Sequence, residues 1–214
     1  MAALADRFNG PRARPWPARL VVWCAWLAAT TVGWMVGSVL VLLIQMWTTG
    51  AADAFVHTAA GSAVLGGMVG LGIGVAQSLV LRRELMGARS WIAVNVVTWA
   101  AAWAVGQAIA DALFDDYALL GLIPGGVLLA VLVGLGEWLL LRRYVERASW
   151  WLIPSIVAWA GAGTIAMFGG AGLVAIDLAP FVGLQAWAIA ATPGAFAGLI
   201  TGAVLTAWRC AATR

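Results

Sequence analysis

Charged residues are scarce in this chain of 214 residues, at 10% of the sequence. A soluble domain of this size carries about 25% charged residues. Hydrophobic residues make up 64%. So little charge cannot solvate a folded surface in water, which excludes a soluble globular domain. The composition instead predicts an all-α polytopic transmembrane bundle, whose first partner is the lipid bilayer.

Residues for metal, redox and hydrolytic chemistry are also lacking. The single histidine, His57, excludes a bis-histidine haem within the chain, and Cys24 and Cys210 form no redox or metal motif. No nucleophile–base set, phosphate loop or dinucleotide fingerprint is present. The 12 cations, all arginine, are scattered at span ends, which topology explains better than nucleic-acid binding. We therefore expect no enzyme, no metal site and no nucleic-acid partner.

Six apolar runs reach the roughly 20 residues that a membrane span requires. They cover approximately residues 19–47, 54–81, 91–114, 117–141, 150–176 and 180–208. The sequence thus predicts a cytoplasmic segment at 1–18, a six-span membrane domain at 19–208 and a cytoplasmic tail at 209–214. The first run is too long for the apolar core of a cleaved signal peptide and predicts a retained anchor.

The distribution of charge predicts the orientation. Every arginine precedes span one, follows span six, or lies between spans two and three or four and five. The loops on the other side carry Asp53, Asp115, Asp116 and Asp177 and no cation. Because cytoplasmic loops are enriched in arginine, we expect both termini in the cytoplasm and the chain in a bacterial inner membrane.

Part of the sequence is repeated. Residues 72–104 align without a gap with residues 132–164, sixty places later, and 11 of the 33 positions are identical. The identities include two arginine pairs and two pairs of tryptophans: Arg82-Arg83 with Arg142-Arg143, Trp91 with Trp151, and Trp99 with Trp159. The pattern predicts parallel two-helix repeats, over about 60–115 and 120–176, related by an axis along the membrane normal.

Small residues recur every four positions in alternate spans. They are Ser62, Gly66, Gly70, Gly74 and Ser78 in span two, Gly126, Ala130 and Gly134 in span four, and Gly194, Gly198, Gly202 and Thr206 in span six. This spacing places them on one face, where helices approach closely in lipid. Pairing span one with span six would give three hairpins about a pseudo-threefold axis. The sequence leaves open whether span one completes that third repeat.

Two segments carry a resemblance. They run from Gly74 to Arg83 with Ala88-Arg-Ser-Trp91, and from Glu137 to Arg143 with Ala148-Ser-Trp150-Trp151. They resemble a motif of uncharacterised multi-span bacterial membrane proteins, in which a Gly-rich helix ends in Gln-Trp-Leu-Val-Leu-Arg-Arg before an Ala-x-Trp-Trp turn. The resemblance covers roughly spans two to five and implies a bacterial membrane fold without a stated activity.

Four polar residues, about one turn inside their spans, form a candidate buried cluster: Gln77, Asn95, Glu137 and Ser155. Glu137 follows Gly134 by three and corresponds to Gln77 in the repeat. We interpret Glu137 as a structural hydrogen-bonding residue, with Asn95 as partner for Gln77 and Ser155 as partner for Glu137. The alternative is a carboxylate that carries an ion or a proton.

Four of the 14 tryptophans lie deep in their spans: Trp99, Trp103, Trp159 and Trp187. They are candidate contacts for a lipid, carotenoid or quinone, and the alternative is packing against glycine grooves. The sequence identifies no cofactor. It favours a non-catalytic membrane module, an accessory or scaffold subunit with other membrane subunits as partners. The alternative is a small transporter or channel with internal repeats, which the scarcity of polar residues in mid-span disfavours.

Overall fold

The computed structural model describes residues 16–48, 50–82, 88–113, 118–145, 147–175 and 182–211. These residues form helices and turns, which confirms the predicted all-α fold. The helices are α1 (Trp16–Trp47), α2 (Ala51–Val56), α3 (Ala59–Leu81), α4 (Ala88–Leu113), α5 (Ala118–Leu141), α6 (Ser149–Ala175) and α7 (Val182–Ala211). Most of the predicted N-terminal segment and the turns at 115–116 and 177–179 lie outside the described residues.

Within the described residues, four helices are long and apolar enough to cross a membrane, judged by length and composition. These segments are Pro17–Trp47, Ala59–Leu81, Arg89–Leu113 and Ala190–Ala207, and α5 adds the shorter apolar segment Gly126–Leu141. Large apolar side chains point outward, including Val21, Val97 and Ile153. A surface of this kind suits lipid and not water.

The second predicted span begins later than expected. The sequence places its start near Ala54, but the chain leaves the short helix α2 at His57, and α3 begins at Ala59. Thr58 caps α3, because its Oγ1 accepts a hydrogen bond of 3.1 Å from the amide of Gly61. This cap satisfies an amide that would otherwise lack a partner in the first turn.

The six long helices close into a ring. Its order is α1, α3, α4, α5, α6 and α7, and α7 packs against α1. Helices adjacent in sequence are therefore neighbours, and α1 lies between α3 and α7. Three pairs result, α3 with α4, α5 with α6, and α7 with α1, in a pseudo-threefold arrangement.

The small faces of α3, α5 and α7 lie at the contacts within these pairs. A Cβ atom built on Gly70 would lie 2.6 Å from the carbonyl oxygen of Asn95, and one on Gly198 would lie 3.0 Å from Cα of Leu27. In the middle pair, a Cβ on Gly134 would lie 2.9 Å from a side-chain carbon of Ile156. The predicted packing role is confirmed at these glycines, since each faces the partner helix. Among the described residues, nothing lies within 4 Å of the Cβ position of Gly126, so no packing contact is assigned to it.

Candidate functional site

Six tryptophans fill the axis of the ring in two layers. The first triplet is Trp26, Trp91 and Trp151, with ring centroids 6.0, 6.0 and 6.4 Å apart. The second triplet is Trp34, Trp99 and Trp159, with centroids 5.7, 6.4 and 5.2 Å apart. Each triplet takes one ring from α1, one from α4 and one from α6. These helices alternate around the ring, so rings that touch one another must meet at its centre.

A polar layer separates the two triplets. On each contributing helix a polar residue stands four positions after one tryptophan and four before the next: Trp26-Thr30-Trp34, Trp91-Asn95-Trp99 and Trp151-Ser155-Trp159. Eight residues of α-helix span about 12 Å, so the triplets lie two turns apart. Gln77, Glu137 and Thr201 join this layer from α3, α5 and α7. All six polar residues are at most 2% exposed.

Each indole of the first triplet donates a hydrogen bond to the other helix of its pair. Trp91 Nε1 donates to Gln77 Oε1 at 3.0 Å, and Trp151 Nε1 donates to Glu137 Oε2 at 2.8 Å. Trp26 Nε1 donates to Thr201 Oγ1 at 2.9 Å. The α7–α1 pair therefore reproduces the geometry of the other two pairs, although its members lie far apart in sequence.

Glu137 is buried among neutral donors. Its Oε2 accepts from Trp151 and also from Ser155 Oγ at 2.7 Å. The Trp159 indole interacts with the same carboxylate but makes no hydrogen bond of good geometry. Every donor that the described residues bring to Glu137 is thus an uncharged side chain of α6.

Gln77 and Asn95 have different partners from those predicted. Gln77 Nε2 donates to Thr30 Oγ1 at 3.0 Å, and Thr30 in turn donates to the carbonyl of Trp26. Asn95 Nδ2 donates to the carbonyl of Trp91 at 3.1 Å. The predicted bond between Gln77 and Asn95 is therefore wrong, because the Gln77 amide links Trp91 to α1. The bond predicted between Ser155 and Glu137 is present.

Sequence reasoning missed Thr30 and Thr201, and so left open whether span one completes the third pair with span six. Threonine is common in membrane helices because its hydroxyl can bond its own helix, so neither residue attracts notice alone. The eight-residue tryptophan spacing with a polar residue midway was the available signal, since it occurs in α1, α4 and α6 alike.

The four deep tryptophans have different surroundings. Trp99 and Trp159 pack against each other and against Trp34, so their rings are covered by other indoles. Trp103 is half-buried against α3, where a Cβ on Gly66 would lie 2.6 Å from its ring. The side chain of Trp187 lies outside the described residues. Trp99, Trp103 and Trp159 therefore pack against small residues or against other rings.

The part of the chain that the structure describes contains no group of three or more His, Cys, Asp or Glu residues able to hold a metal ion. On its outer surface, α3 and α4 form an apolar groove of about 400 Å³. Comparison with family models, curated proteins and solved structures finds no match to this chain. A function can therefore be inferred only from the geometry of the axis.

Proposed function

We propose that this protein is a non-conducting, non-catalytic module of the bacterial inner membrane, acting as a scaffold or accessory subunit of a larger membrane assembly. This proposal is based on the indole rings that fill the axis of the bundle. Five of its six indoles are at most 2% exposed, and they occupy the position where a transport path would run. The matching hydrogen bonds of the three helix pairs also support an origin by repetition of a two-helix unit.

A conducting path requires polar groups or water at successive depths. Here the six polar residues described above share one layer, and a tryptophan triplet covers that layer on each side. The glycine faces bring the helices into backbone contact; a Cβ on Gly72 of α3, for example, would lie 2.5 Å from the carbonyl oxygen of Gly33 in α1. Such contacts favour one rigid packing over two interchangeable ones.

The exterior supports a role in lipid and in assembly. Arg82, Arg142 and Arg143 are exposed at the ends of α3 and α5, and the Arg142 guanidinium lies 5.5 Å from the Trp138 ring centroid. Arginine beside tryptophan is typical of a membrane interface, and we assign this side to the cytoplasm. The apolar groove of α3 and α4, lined by Ala63, Gly67 and Val96 among others, suits an acyl chain or another lipophilic ligand.

A small transporter remains the second candidate, and Glu137 favours it. A carboxylate buried at the axis with only neutral donors resembles the acids that carry protons through membrane proteins. Against this, the corresponding position of the next pair holds Gln77, which cannot exchange a proton. Glu137 also has two direct side-chain donors, which is enough for a structural role.

Flux measurement in reconstituted vesicles tests the proposal. We expect proton, sodium, potassium and chloride flux no greater than in protein-free vesicles, because the tryptophan triplets close the axis. We also expect the protein to purify from its native membrane with other membrane subunits in fixed stoichiometry. A flux that Glu137→Gln abolishes in a folded protein would establish the transporter instead.

A further inference from the structure

Three buried polar atoms at the axis have no hydrogen-bond partner among the described residues. They are Asn95 Oδ1, Trp99 Nε1 and Trp159 Nε1. The first is an acceptor and the other two are donors. A buried polar group without a partner is costly in any protein interior, and more so between helices in lipid. Three such groups in one place call for a common explanation.

The three atoms belong to one region of the bundle. Asn95 and Trp99 are one turn apart on the same face of α4. The Trp99 and Trp159 rings pack edge to face with centroids 5.2 Å apart. Trp159 also interacts with the Glu137 carboxylate. The residues that carry the unpartnered atoms therefore lie together at the axis, where the polar layer adjoins the second triplet.

The mixture of donors and acceptors identifies the class of ligand. An anion would be repelled by Glu137 and by the carbonyl dipole of Asn95. A metal cation would be attracted by Glu137 and Asn95 Oδ1 but cannot accept hydrogen bonds, so it would leave both indole N–H groups unsatisfied. A neutral molecule that accepts two hydrogen bonds and donates two fits all the groups, and water is the smallest such molecule. Buried water typically makes about three hydrogen bonds, in a range of two to four.

We propose that the polar layer is a binding site for a water molecule that accepts from Trp99 and Trp159 and donates to Asn95 Oδ1 and Glu137. This water links α4 to α5 and α6, as Gln77 links α3 and α4 to α1. Its role differs from the scaffold function, because a transporter could hold the same water. The test below therefore does not depend on the outcome of the flux measurement.

The experiment measures contact between indole protons and water. The protein is labelled with ¹⁵N-tryptophan, placed in nanodiscs, and its indole signals are assigned with single Trp→Phe variants. We expect cross-relaxation to water for the Trp99 and Trp159 indole protons. The Trp91 indole, which is bound to Gln77, serves as the internal control without a water contact. Folded wild-type protein in which Trp99 and Trp159 show no water contact would overturn the proposal.

Two variants test whether the water contacts of the indole protons arise at the polar layer. Asn95→Leu keeps the branching of the side chain but removes one of the acceptors of the water, so both water contacts should weaken. Thr98→Val removes a hydroxyl from the same helix that bonds only backbone carbonyls of α4, so both contacts should persist. If Asn95→Leu fails to fold, Trp99→Phe replaces it and should weaken the Trp159 water contact. Indole shifts that follow the choice of chloride or sodium salt would mean an ion occupies the site, which would refute the water assignment.

Discussion

In each helix pair, a different residue type supplies the oxygen that accepts the hydrogen bond of the first-triplet indole. It is the amide of Gln77, the carboxylate of Glu137 and the hydroxyl of Thr201. These groups share an acceptor oxygen and little else, in charge or in size. We infer that the fold requires an acceptor at this point and does not require a charge.

Replacement of Glu137 tests this inference. Glu137→Gln keeps an oxygen for Trp151 and matches Gln77, so thermal stability should stay close to wild type. Glu137→Leu removes the oxygen that accepts from Trp151 and Ser155, and the loss of a buried acceptor costs about 1–3 kcal/mol. The measurement is thermal or denaturant unfolding in one detergent.

Gln77→Leu is the matched variant, since it removes the acceptor of the Trp91 indole in the neighbouring pair and the donor to Thr30 of α1. It should destabilise to a similar degree. A Glu137→Gln variant as unstable as Glu137→Leu would show that the charge itself is required, and the acceptor argument would then fail.

At the scale of helices, glycine position decides which substitutions are tolerated. Gly70→Ala should destabilise by about 1–3 kcal/mol, because the new methyl overlaps the backbone of α4. Gly67→Ala, on the same helix and facing the open groove, should be neutral or slightly stabilising. Its Cβ would lie 3.7 Å from that of Ala100, an ordinary contact, and alanine is the better helix former.

Gly70→Leu and Gly198→Leu should be more severe still, because their Cβ positions already lie against backbone of α4 and α1. These predictions are checked by measuring the free energy of unfolding of the four variants Gly67→Ala, Gly70→Ala, Gly70→Leu and Gly198→Leu. Equal stability of Gly67→Ala and Gly70→Ala would show that the helices are not packed at the small faces.

The helices themselves were largely predictable from sequence. Hydrophobic run length predicted six spans, since a run of this length is required to cross lipid. The described residues form six long helices at those places, and four of them are long and apolar enough to cross a membrane. The four-residue spacing of glycine identified the packing faces, because small residues are what allow close helix contact in lipid. The start of α3 was not predictable from hydropathy, because residues 54–58 are also largely apolar and only the Thr58 cap separates α2 from α3.

At the scale of the whole molecule, labelling tests the orientation. Cys24 and Cys210 are first replaced by serine, and single cysteines are introduced at Asp53 or at Arg89. A membrane-impermeant thiol reagent should label the first position in intact cells and the second only after lysis, because we propose that the arginine-rich side faces the cytoplasm. The reverse pattern would overturn the assigned orientation.

The arrangement of the helices was only partly predictable. The sixty-residue repeat relates α3–α4 to α5–α6, but α1 and α7 match it weakly in sequence and are linked through a tertiary hydrogen bond. The four residues of the predicted polar cluster are buried, as expected. Their hydrogen-bond partners were predicted only in part, since position along a helix does not determine which side chains face each other. A Cβ on Gly74, three residues before Gln77, would lie 3.1 Å from Cβ of Asn95, and Gln77 still bonds to Thr30 of a third helix.

The packing of α7 against α1 has a consequence for biosynthesis. Trp26 and its acceptor Thr201 are 175 residues apart, so α1 enters the bilayer long before its partner has been translated. While α3 to α6 are inserted, one edge of the growing bundle stays open and the Trp26 indole lacks Thr201. The ring can close only after α7 has been synthesised, so the facing sides of α1 and α6 stay uncovered until then.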